Sequence, residues 1–142
     1  MATFSKFNAF VENLAEGVHN FESHAFKVML VNTAPVAANS VKADLTEISA
    51  GNGYTAGGNS AALTSSSQTS GTYKLVLADP ATWTAGAGSI GPFRYAVLYN
   101  DTPTSPADPL IGYWDYGSSV TLSAGETFTV DFDATNGVLQ IA

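Results

Sequence analysis

The spacing of apolar residues changes once along this chain, near residue 25, and that change limits the folds open to it. From Phe4 to Val18 the apolar positions are Phe4, Phe7, Phe10, Val11, Leu14, Ala15 and Val18, separated by threes and fours. This is the period of a helix with one buried stripe. A hydroxyl can accept a first-turn N–H and glycine takes positive φ freely, so Ser5 is the expected N-cap and Gly17 the residue just past the C-terminus. From Phe26 onward the period is two. Phe26, Val28 and Leu30 share one side of a strand whose other side carries Lys27 and Met29.

That strand stops at Asn32-Thr33-Ala34-Pro35, and residues 34–60 form a long connection containing Asn52-Gly53 and Gly57-Gly58, with Leu45 and Ile48 spaced like one helical turn. Loops of this length are usually functional or disordered. Residues 60–71, SAALTSSSQTSG, are too polar for a central strand and read as a solvated connection or an edge strand. Tyr73, Leu75 and Leu77 then alternate, Asp79-Pro80 turns the chain, and Thr82-Trp83-Thr84 precedes a glycine-rich loop at 86–91. Phe93, Tyr95, Val97 and Tyr99 line a face opposite Arg94 and Ala96. Residues 100–109, NDTPTSPADP, carry three prolines and must be a loop, because proline fixes φ and donates nothing to a ladder. Leu110–Tyr116 resumes the alternation, Gly117–Ser119 breaks it and Val120–Leu122 begins another strand.

The clearest strand pattern is Glu126–Asp133, with Phe128, Val130 and Phe132 on one side and Thr127, Thr129, Asp131 and Asp133 on the other. Asn136-Gly137 predicts a two-residue hairpin turn into a last strand, Val138–Ile141. About eight strands at intervals of roughly 8–12 residues predict a mainly β protein, an antiparallel β-sandwich or jelly roll with one short N-terminal helix. A single domain spans 1–142, with 1–24 as a helical or docking segment. Its inner face is expected to hold Phe26, Val28, Leu30, Leu75, Leu77, Tyr95, Val97, Phe128, Val130 and Phe132. Truncating 1–10 is expected to leave that domain folded.

Charge narrows the partners. Twelve Asp and Glu against five Lys and Arg give a net charge of −7, and the cations Lys6, Lys27, Lys42, Lys74 and Arg94 are scattered. A phosphate backbone would repel such a surface, so no nucleic-acid partner is expected. No apolar run is long enough to span a bilayer or to form a secretory h-region, so neither a membrane nor a leader is expected. The absence of cysteine removes disulfides, thiol nucleophiles and thiolate metal sites.

Candidate chemistry is sparse. His19 and His24 are the only imidazoles, five residues apart and outside any HExxH pattern, and read as surface or cap residues. Neither a GxSxG elbow nor a phosphate-cradling glycine loop followed by Lys-Ser/Thr is present. Asp131 and Asp133 form a pair, but their outward alternation predicts solvated acids rather than a glycosidase dyad. The segment 131–137 lacks the glycine and glutamate spacing of a calcium loop, so it reads as a hairpin with an acidic rim. No catalytic residue, cofactor or metal is assigned. Tyr113-Trp114-Asp115-Tyr116 and Trp83 read either as core and subunit interface or as a sugar-stacking platform.

The strings FVENLAEGVHNF, FKVMLVNTAP, ADLTEISAGNGYTAGG, RYAVLYNDT and DPLIGYWDYGSSVTLSAGETFTVDFD resemble the decoration, or cement, proteins of tailed-bacteriophage capsids. The likeness extends over most of the chain and has no short signature. It implies a jelly-roll-like virion protein without cofactor or catalytic residues, made in the bacterial cytoplasm. Such a protein binds the capsid exterior as a homodimer or homotrimer, with the major capsid protein as partner. Alternatives are a carbohydrate-binding module and another head-fibre or tail component. Contacts are expected in the irregular segments and exposed aromatics: Phe4, Phe7, Phe10, Tyr54, Asp101, Pro103, Pro106, Trp114 and Tyr116.

Overall fold

A computed structural model describes residues 2–142. The strands are β1 (Phe4–Lys6), β2 (Phe26–Val31), β3 (Asn59–Ala61), β4 (Leu63–Thr69), β5 (Thr72–Leu77), β6 (Trp83–Thr84), β7 (Ile90–Asn100), β8 (Leu110–Leu122), β9 (Thr127–Phe128) and β10 (Leu139–Ile141). One helix, α1 (Asn8–Ala15), and one 3₁₀ turn at Lys42–Asp44 complete the set. The expected mainly β, sandwich-like architecture is observed. A five-stranded antiparallel sheet in the order β1-β8-β7-β2-β3 faces a three-stranded sheet, β10-β5-β4, and a two-stranded ribbon, β6-β9.

The large sheet is buried on both faces. Phe26, Val28, Leu30, Ala96, Leu98 and Ile111 face Leu75, Leu77 and Trp83 in the main core. Met29, Val31, Tyr95, Val97, Tyr99 and Leu110 form a second core on the opposite face, joined by Phe7. This corrects the expected inner face: Tyr95 and Val97 do not share it with Phe93. The register shifts between Phe93 and Tyr95, and an extra residue in one strand transfers every later side chain to the other face. Five of the six residues of β2 are buried in consequence.

The helix is shorter than its periodicity predicts. Ser5 caps nothing, because Phe4–Lys6 pairs with Gly112–Trp114 at the edge of β8, and the N-cap is Phe7 without a side-chain bond. A thirteen-residue strand with an open edge satisfies more main-chain groups than one further helical turn would. Gly17, at φ 78°, does lie just past the C-terminus. Asn59–Ala61 and Leu63–Thr69 are edge strands, the second of the two readings of this stretch, and β4 turns into β5 through Ser70-Gly71.

The C-terminal region departs furthest from expectation. Of Glu126–Asp133 only Thr127–Phe128 is paired, and Asn136-Gly137 does not close a hairpin. Asp133 instead accepts the N–H groups of Thr135 and Asn136, both at 2.8 Å, and the next residue leaves the segment: Val138 N–H donates to Leu75 O at 2.7 Å. The last strand therefore adds to β5, and residues 129–133 have no ladder partner, although their exposure alternates as it does along an extended chain.

Candidate functional site: an aromatic groove beside the first strand

The unpaired segment forms one wall of a groove of about 390 Å³, whose floor comes from β7 and β8 and whose end is closed by β1. Alternation along Phe128–Phe132 places Phe128, Val130 and Phe132 half-buried against the sheet and Thr129 and Asp131 exposed. These three residues are groove lining as much as core, which corrects their assignment to a fully buried inner face. Pairing of β1 with β8 sets Phe4 opposite Trp114, with ring centroids 5.2 Å apart. Trp114 also meets Phe132 at 5.4 Å, and Tyr116 meets Phe128 edge-on at 5.7 Å. Tyr116 is 59% exposed, the largest solvent-facing ring in the chain's described residues.

Charge at the groove is arranged in two ways. Arg94 holds Asp115 through two of its three guanidinium nitrogens, Nε to Oδ1 at 2.8 Å and Nη2 to Oδ2 at 2.9 Å. The Arg94 guanidinium keeps the Asp115 carboxyl below the usual carboxylate range, aided by the Gly117 N–H. Asp133 is held low by the N–H and side-chain donors of Asn136, followed by Thr135. Asp131, between them on the lip, has no hydrogen bond or ion pair among the described residues.

Of the expected contact residues, Phe4, Trp114 and Tyr116 meet in this groove. Phe7, Phe10 and Tyr54 do not: they are 0%, 6% and 2% exposed, and a partner cannot reach them without unfolding the domain. The Phe stripe is thus core. Tyr54 is a core strut, donating its hydroxyl to Glu47 Oε1 at 2.6 Å and accepting Leu30 N–H at 3.1 Å. Burial, and then the Glu47 carboxylate, push that hydroxyl far above the ordinary tyrosine range. Asp101, Pro103 and Pro106 lie on the β7–β8 loop, where Asp101 pairs with Lys27 at 3.0 Å, away from the groove. Trp83 is 1% exposed between Tyr54 and Phe128, so it belongs to the core and not to a sugar platform.

Of the two histidines only His19 is placed otherwise than expected, since His24 is not buried and its Nδ1 accepts the Asn20 N–H at 3.2 Å. His19 is buried, packed on Phe10 and Phe21, and its Nδ1 lies 3.2 Å from Asn100 Nδ2. The same amide nitrogen lies 2.9 Å from His24 Nδ1, while Asn100 Oδ1 accepts Thr102 N–H. With its oxygen engaged by a donor, the Asn100 amide presents its two N–H groups to the Nδ1 atoms of His19 and His24. Burial, and then the nearby His24, lower His19 to about 4. Sequence spacing shows the pair but not Asn100, which arrives from β7. Among the described residues no three His, Asp or Glu side chains converge as a metal-holding group. No helix of the structure is long and apolar enough to cross a membrane.

Comparison with protein-family models, with curated proteins and with solved structures finds no match to this chain.

Proposed function

We propose that the chain is a structural protein of a tailed-phage virion, a decoration protein that binds the outer surface of the capsid and reinforces it. The observation that carries this reading is the aromatic groove bounded by β1, β8 and residues 128–133, an apolar surface with charged lips and the equipment for holding another protein. The likeness of the sequence to decoration proteins supplies the class of partner, the major capsid protein. A homodimer or homotrimer would multiply such contacts, so that each needs only modest affinity. The surface is charge-poor and rich in small polar groups, which order at little entropic cost. Trp114 already packs against Phe4 and Phe132, which favours a protein groove over a sugar-stacking platform.

The test is the protein content of virions from a phage whose genome encodes this chain. The expected result is a copy number comparable to that of the major capsid protein, with loss of the chain from capsids carrying Tyr116→Asp. Virions that lack the chain, or that hold it only at tail stoichiometry, would overturn the assignment.

A further inference from the structure

The groove has a feature that an ordinary apolar pocket lacks, namely a length of strand with nothing paired to it. Ala85 N–H donates to Glu126 O at 2.9 Å, so the main-chain groups of Glu126 and, two residues on, of Phe128 opposite Trp83 are turned toward β6. In an extended chain the next groups that point the other way belong to Thr129 and Asp131. Neither residue's N–H or C=O has a hydrogen-bond partner among the described residues, while Phe132 N–H is taken by Asp79 Oδ1 at 2.8 Å. Thr129 is anchored by its side chain, 2.8 Å from Thr82 Oγ1, and Phe132 by its N–H on Asp79, so the free stretch is tied down at both ends. An exposed strand edge of this kind is a template for one more strand.

We infer that residues 129–131 and the groove beside them bind an extended, basic segment of a partner protein by strand addition. This rests on the reading of the groove as the docking surface and supplies its recognition chemistry. Main-chain bonds from Thr129 and Asp131 give register. Side chains on alternate positions of the incoming segment drop toward Trp114, Phe132 and Val130, which selects aliphatic or aromatic residues there. The carboxylate of Asp131 stands on the lip without a cation, and the chain carries a net charge of −7. Both features select lysine or arginine on the outward positions of the guest. They disfavour a second copy of this acidic chain as the occupant.

The test is a displayed library of random heptapeptides selected on the full-length protein, followed by binding measurements on synthetic versions of the enriched sequences. Enrichment of alternating apolar and basic residues is expected, together with slowed hydrogen exchange of the Thr129 and Asp131 amides on binding. Asp131→Lys changes an exposed, unpaired side chain and is expected to weaken binding at least tenfold, with a shallower salt dependence. N-methylation of alternate peptide amides, which removes donors without altering side chains, is expected to abolish it. Absence of enrichment, acidic guests, or binding that survives N-methylation at every position would overturn the inference. Failure here while the chain still co-purifies with virions would leave capsid attachment to other surfaces. Success here with virions lacking the chain would keep the groove's chemistry and remove the capsid as partner.

Discussion

Replacing Phe7 by Ala separates a core residue from a docking residue more sharply than any other single change in the N-terminal segment. Phe7 is 0% exposed and stands at the only bend between β1 and α1, its N–H donating to Ile111 O at 3.2 Å. Its ring closes the second core over Met29, Val31, Val97 and Leu110, and lies 5.2 Å from Tyr113. Truncating a fully enclosed phenylalanine costs about 3–5 kcal/mol, the transfer free energy of the ring plus the cavity left behind. Phe7 deserves the upper half of that range, since β2, β7 and β8 surround it and cannot collapse inward. With a urea m-value of roughly 1–3 kcal/mol/M, a loss of about 4 kcal/mol lowers the midpoint by roughly 2 M at a mid-range slope. The assay is a urea melt followed by tryptophan fluorescence, with Val11→Ala, which is 51% exposed, as the control. Removing residues 1–10 is expected to be worse still, because it deletes β1 and both buried rings. A loss below about 1 kcal/mol for Phe7→Ala, or an unchanged midpoint on truncation, would refute the second core.

Acid should act first through His19. Its folded value of about 4 lies below the ordinary 6.5, so between those two pH values the unfolded chain binds the extra proton, and stability is lost as pH falls from 6.5 through 4. The loss amounts to roughly 3 kcal/mol at most, read as a fall in melting temperature that His19→Gln flattens, whereas a melting temperature constant down to pH 4 would contradict the burial of the ring. Gly58→Ala would drive a Cβ into the Val28 carbonyl at a φ of +76°, and the β2–β3 pairing should break at a cost of about 3 kcal/mol or more. Gly17→Ala, at φ +78° with nothing within 4 Å, should cost only about 1 kcal/mol, and equal losses for the two glycines in a denaturant melt would count against the close approach. Tyr54→Phe leaves the buried Leu30 N–H and Glu47 without the hydroxyl they share and should cost about 1–3 kcal/mol, while a neutral result would show that water replaces it.

Local periodicity was enough to locate most of the strands. Phe26–Val31, Tyr73–Leu77, the start of β8 at Leu110 and the loop after Asn100 all stand where alternation and proline place them, because side-chain direction along an extended chain is set by the chain itself, whereas the break expected at Gly117–Ser119 is absent and β8 runs on to Leu122. The sandwich class and the position of Gly17 follow from the same local rules. What alternation cannot report is the partner of a strand edge. Phe4–Lys6 has helical spacing yet joins β8, and Phe128–Phe132 has the clearest strand pattern yet goes largely unpaired, since β10 finds a better ladder on β5. The shift between Phe93 and Tyr95 likewise depends on how β7 meets β8, and it moves Tyr95 and Val97 to the face opposite Phe93. The groove is the product of these non-local choices. Its residues Phe4, Trp114, Tyr116 and Phe132 were visible as aromatics, but they converge only because main-chain hydrogen bonds between residues distant in sequence, satisfied in one place, left Thr129 and Asp131 unsatisfied in another.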